Sequence, residues 1–167
     1  MRGIWSMNSD CKECQPFIDE TERLFGPTIR KYGFEFSECE GMRQGRECQV
    51  MYRASIGNLL FVLQDGAPSC FLGVRTQSLP PLVLLGDRGD YNWYHVVTLT
   101  EIALGNLVYD MRVDKAIRKG KIDFFAWQSD LLAEHSLQLF LLLESSDAGW
   151  LTQQADGVVD KRRKTLI

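Results

Sequence analysis

Histidine is scarce in this chain: His95 and His135 are the two in 167 residues. That excludes a metal centre built mainly from imidazole. No apolar run approaches the ~20 residues needed to cross a bilayer; "LPPLVLLG" and "LQLFLLLE" stop well short of it. Neither sign of charge dominates. The net charge of −3 and a pI near 5.4 give no general attraction to nucleic acid or anionic lipid, so any polyanion binding must come from a local patch. Also missing are G-x-S-x-G, a P-loop, H-E-x-x-H and D-x-D-x-D-G, which removes the commonest signatures of nucleophilic, phosphate-binding and metal-dependent chemistry. The first ten residues hold no apolar h-region, so no secretory signal is expected.

What remains is ordinary globular material, with 45% hydrophobic and 25% charged residues, enough to bury one core. Residues 1–10 are expected as a flexible extension, 11–150 as a single α+β domain and 151–167 as a flexible C-terminal tail. Residues 16–32 place Phe17, Leu24, Phe25, Ile29 and Tyr32 on one helical face. Gly26-Pro27 should kink or split that helix, and Gly33 should stop it.

Four strands then follow. Phe34 and Phe36 alternate with Glu35 and Ser37. Cys48, Val50, Tyr52 and Ala54 alternate with Gln49, Met51 and Arg53, which are expected on an uncovered face. A Gly57-Asn58 hairpin leads to Leu59–Leu63, apolar on both faces and therefore central. Asp65-Gly66-Ala67-Pro68 turns into Ser69–Arg75. Short turns between consecutive strands imply an antiparallel meander.

After a long loop, helices are expected over 93–104, over 110–119 before Gly120, and from an Asp123 cap onward. The fold class is therefore α+β, with helices before and after a four-stranded sheet and packed on one face of it.

Four groups of residues carry candidate chemistry. The C-x-x-C at Cys11 and Cys14, with Cys39 and Cys48, supplies four sulfurs for zinc, although the second pair is spaced wider than a usual knuckle. A redox pair at Cys11 and Cys14 is the other sulfur chemistry, and small hydrophobic or idle thiols the bland reading. Five cysteines, an odd number, favour reduced thiols in a cytoplasm.

His135 beside Glu134, on a helix with Asp130, forms an acid–base pair or packs structurally. A basic stripe at Arg112, Lys115, Arg118 and Lys119, extended by Lys121, suits phosphates or an acidic protein, against a solvated helix face. "DKRRK" at 160–164 is a second basic patch. No aromatics are interleaved with these bases, so stacking on single strands is not expected.

The last group is a stiff, greasy stretch, Leu79, Pro80, Pro81, Leu82, Leu84 and Leu85, which either meets a protein partner or packs over the sheet.

"IRKYGFEF", a helix ending in Lys-Tyr-Gly-Phe and running into a strand, with "ECQVMYRASIGNLLFVL" after it, resembles small bacterial α+β proteins. Some of these are similar to polymorphic-toxin immunity or defence-associated proteins. The resemblance covers about the first 75 residues and implies a protein that grips another protein, with no catalytic residues to carry over. The reading taken forward is a non-enzymatic protein-binding module without a cofactor. Its rivals are a nucleic-acid binder using the 112–121 stripe and a zinc- or thiol-dependent enzyme.

Overall fold

A computed structural model of the protein describes residues 9–80 and 92–166. In chain order it comprises α1 (Ser9–Glu13), α2 (Gln15–Lys31), β1 (Glu35–Met42), β2 (Glu47–Ala54), β3 (Gly57–Gln64) and β4 (Ala67–Gly73). Then come β5 (Tyr94–His95), α3 (Val96–Leu104), α4 (Met111–Arg118), α5 (Phe124–Ser145) and α6 (Ala148–Leu166). The class is α+β as expected. The sheet is an antiparallel meander in the order β1-β2-β3-β4-β5. The fifth strand was not expected. Tyr94 and His95 pair with Leu72 and Phe71 before the chain turns helical, so a strand two residues long hides at the head of a helical pattern.

Local chemistry explains most element ends. Asp110 and Asp123 cap α4 and α5 by accepting the N–H of Val113 at 3.0 Å and of Ala126 at 2.9 Å. Asp65 and Gly66 both take left-handed φ, +48° and +77°, as the tight β3–β4 hairpin demands. The β2–β3 turn falls at Ser55 and Ile56, earlier than the Gly57-Asn58 expected from sequence. Gly57 is nonetheless required: its φ is +151°, and a Cβ there would stand 2.4 Å from the Phe140 ring.

Pro27 does not split α2, which runs unbroken from Gln15 to Lys31. Pro27 lies on the solvent side, and one carbonyl of the preceding turn, Leu24 O, accepts the Ser129 hydroxyl at 2.7 Å.

One face of the sheet packs under the helices. Cys48, Val50, Tyr52, Leu59, Phe61, Cys70 and Leu72 meet Phe17, Phe25 and Phe125 in the main core. Phe25 sits at its centre, with ring centroids 4.7 Å from Phe61 and 4.9 Å from Phe125. Burying one such ring stabilises the fold by about 2–3 kcal/mol. Gln128 of α5 reaches the backbone of β4, accepting from Cys70 N at 2.8 Å and donating to Pro68 O at 3.3 Å.

The other face corrects the expectation of an open side. Gln49 and Met51 are fully buried, and Arg53 is half-buried, donating to Ser37 Oγ at 3.0 Å. A second apolar cluster of Met51, Leu60, Val62, Phe71 and Trp93 covers this side, with Leu79 packed against it. Trp93 lies so close that a Cβ on Gly73 would come within 2.9 Å of its ring, and its indole N–H donates to Ser78 O at 3.0 Å. Asn58 adds donations to Arg75 O at 3.1 Å and Gln77 O at 3.0 Å. Helices on one face and the segments flanking 81–91 on the other explain why β3 is apolar on both sides.

The stretch expected to fray from residue 151 is helical. Residues Leu151, Ala155, Val159 and Arg162 of α6 recur at near-helical spacing and are buried against the rest of the fold. No helix of the described residues is long and apolar enough to cross a membrane.

Candidate binding surface

The basic stripe runs along α4 and on to Lys119 and Lys121 just past its end, and no residue of the helix is buried. Its placement depends on a buried charge pair behind it. Glu101 of α3 is fully buried; one carboxylate oxygen accepts the N–H of Val108 at 3.0 Å and of Tyr109 at 3.2 Å. The other oxygen pairs with the Arg162 guanidinium, whose Nε lies 3.0 Å away and whose terminal nitrogen also donates to Thr98 Oγ1 at 3.1 Å. A buried carboxylate is tolerated only with such full satisfaction. The clamp fixes the chain entering α4 and holds α6 on α3.

Sequence reasoning placed Arg162 in a solvent-facing "DKRRK" patch, and the structure removes it from that patch. The available signal was Glu101 itself, a lone carboxylate inside the apolar run "VVTLTEIAL".

Arg112, Lys115, Lys119 and Lys121 line a shallow depression of about 530 Å³, together with Met111 and Ala116. Arg118, the fourth residue of the expected stripe, is not among the lining residues. It donates to Asp114 at 2.7 Å, and Arg112 lies 3.7 Å from Asp110. Among the described residues no carboxylate pairs with Lys115, Lys119 or Lys121.

No aromatic is interleaved with these bases; three rings flank α4 along the chain. Tyr109, Phe124 and Trp127 pack with centroids 5.7 to 6.0 Å apart, contributed by the α3–α4 connection and the first turn of α5. Tyr109 donates its hydroxyl to Asp114 at 2.9 Å. Burial, and then that hydrogen bond, push its ionisation up to about 12. Asp114 is held below the usual carboxylate range by Arg118 first and Tyr109 second.

The greasy stretch is only partly described. Leu79 is half-buried against the second cluster and Pro80 is buried, while Pro81, Leu82, Leu84 and Leu85 lie outside the described residues. A second depression, of about 280 Å³, lies between Phe140, Leu143 and Glu144 of α5 and the sheet end at Ser55, Ile56, Val74 and Arg75.

The cysteines depart furthest from expectation. Cys14 and Cys48 form a disulfide, closing a separation of 34 residues. Such a bridge stabilises by roughly 3–4 kcal/mol through the unfolded chain's loop entropy. Reduced thiols throughout is therefore incorrect, and two of the four sulfurs proposed for zinc are bonded to each other. Among the described residues no group of three or more His, Cys, Asp and Glu is placed to hold a metal ion. Cys11 is buried, Cys39 half-buried, and Cys70 fully buried, its thiol pushed up by desolvation.

The histidines separate likewise. His95 is the N-cap of α3, its Nδ1 accepting from Val97 N at 3.2 Å, with its ring 6.2 Å from that of Phe124 and nearly parallel to it. His135 Nε2 stands 3.8 Å from Glu134 on the half-buried side of α5.

No family model matches the chain, and neither a curated protein nor a solved structure matches it.

Proposed function

We propose that the protein is a binding module that takes an acidic protein segment on the α4 surface. The observation that carries this reading is the set of cations on the wall of the 530 Å³ depression, three of them lysines with no carboxylate partner among the described residues, in a chain whose net charge is −3. Local excess against a negative whole is what selective electrostatic capture requires. Met111 and Ala116 add apolar side chains to the lining, which suits side chains of a peptide. The neighbouring rings favour a protein over nucleic acid as the partner: they pack on one another, and Tyr109 is tied to Asp114, so no free stacking platform is offered. Of the greasy stretch, the described Leu79 packs against the second cluster and Pro80 is buried, so neither of these two residues offers contact surface.

The test is fluorescence anisotropy with a labelled Glu/Asp-rich peptide and, separately, a DNA duplex, each at low and moderate salt. The peptide should bind the native protein, and Lys115→Glu with Lys119→Glu should weaken it tenfold or more. Equal peptide affinity after charge reversal removes the proposal. Tighter duplex binding with a steep salt slope replaces it with the nucleic-acid reading.

A further inference from the structure

Three cysteines converge where the N-terminal helices meet the sheet. Cys14 is the N-cap of α2 and bonds to Cys48 on β2, with Cα atoms 5.9 Å apart. Cys11 stands one helical turn earlier: the Cys14 N–H donates to Cys11 O at 3.2 Å. Both side chains are almost fully buried, at 3% and 1% exposure, and Cys48 is at 0%. The approach of α1 to the sheet is tight. Gly45, in the turn leading into β2, lies under the end of α1 so closely that a Cβ there would stand 2.3 Å from Glu13 O. Cys48 Sγ lies 3.6 Å from the carbonyl oxygen of that same Gly45. Side chains at i and i+3 of a helical turn are neighbours, which places Cys11 within reach of Cys14 as well. Cys14 thus has two sulfurs able to partner it.

We propose that Cys11, Cys14 and Cys48 form a disulfide-exchange centre in which the bridge moves from Cys14–Cys48 to Cys11–Cys14. Cys11 loses its proton to water and attacks Cys14 Sγ as a thiolate. The Cys11–Cys14 bond forms while the Cys14–Cys48 bond breaks, and the electron pair leaves on Cys48, which takes up a proton from water. One disulfide and one thiol stand on each side of the step, so no oxidant or reductant is consumed.

The structural effect is large for so small a displacement. A bridge spanning 34 residues, which ties α2 to the sheet, becomes one local to a single turn, and β2 is released from the N-terminal helices. Cys14 is the pivot, because it alone belongs to both pairs. The positive end of the 17-residue α2 lies at the sulfur under attack, where it stabilises the negative charge shared among the three sulfurs in the transition state.

Disulfide mapping on the full chain tests this, with acid quench, alkylation by N-ethylmaleimide and digestion. Trypsin cuts after Lys12, so Cys11 and Cys14 fall on separate peptides and a bridge between them appears as a linked pair. In native protein held at pH 8.5 with a trace of reduced glutathione, Cys48 should become alkylated in molecules that keep Cys14 protected and linked to Cys11. In Cys11→Ser, alkylation of Cys48 without alkylation of Cys14 should drop at least tenfold. Alkylation of Cys14 and Cys48 always together, in both proteins, overturns the proposal. Cys48→Ser treated with oxidised glutathione should convert to the Cys11–Cys14 bridge; glutathione adducts or free thiols at both positions there overturn it as well. The native-protein arm stands even where the variant fails to fold.

Discussion

Acidification should loosen this fold through one imidazole. His95 is buried, and its Nδ1 must stay unprotonated to accept the Val97 N–H that starts α3. Burial first, and the nearby Arg162 guanidinium second, lower its pKa from 6.5 to about 3. In the unfolded chain the ring titrates near 6.5. Between these values the unfolded state binds the extra proton, so stability rises with pH. The contribution is complete above about 6.5 and is lost as pH falls toward 3. From pH 7.5 to 5.0 the linkage gives RT ln{(1 + 10^1.5)/[(1 + 10^−2)(1 + 10^−1)]}, about 2 kcal/mol. With a urea slope of about 2 kcal/mol/M, that is a midpoint shift of about 1 M.

The perturbation is His95→Asn, whose side-chain oxygen can still cap Val97 while having no proton to gain. Urea melts followed by tryptophan fluorescence at both pH values supply the measurement. Carboxylates and His135 are common to native protein and variant, so they cancel in the comparison. The variant should lose about 2 kcal/mol less than the native protein on acidification. Parallel losses would show that the ring is charged in the fold or never desolvated, and the reasoning would fail.

Arg162→Met should leave Glu101 buried without its cation and reduce stability by about 3–5 kcal/mol, roughly 8–15 °C in a thermal melt. Adding Glu101→Gln should restore most of that, since an amide oxygen can still accept from Val108 and Tyr109; a loss below 1 kcal/mol in the single variant refutes the clamp. Gly57→Ala should lose about 2–4 kcal/mol by placing a methyl against Phe140 at a φ reserved for glycine. Pairing it with Phe140→Leu should recover part of the loss in the same melt, and no recovery would locate the cost in the backbone alone.

The legible parts of the fold were those decided by neighbours in sequence. Asp123 announced its helix because a cap acts within three residues, and Gly105 and Gly120 the ends of theirs because left-handed backbone selects glycine. The meander was legible from alternation and short turns. The illegible parts depend on partners far along the chain. Cys14 finds Cys48 only because α1 and α2 fold back on β2, a pairing that spacing among five cysteines does not fix. The repeat of α6 was diluted by Gly149, Gly157 and a cluster of charges, one of which, Arg162, points inward. Met51 looked like a residue of an open face because its cover, Trp93 and Leu79, follows two strands later. Of the α4 surface, the cations were legible as a helical stripe, while the depression they line and the packing of Tyr109 with Phe124 and Trp127 required the third dimension.

A sheet rim is a template on which another copy can lay its own backbone, the first step toward fibrils. Here the outer strand is β1, its ladder interrupted between Phe36 and Glu38, with Glu35, Glu38 and Glu40 exposed along it. Two such rims brought together would set carboxylate against carboxylate at the ~5 Å spacing of neighbouring strands. Growth by strand stacking is thus resisted from this side by the residues that keep it wet.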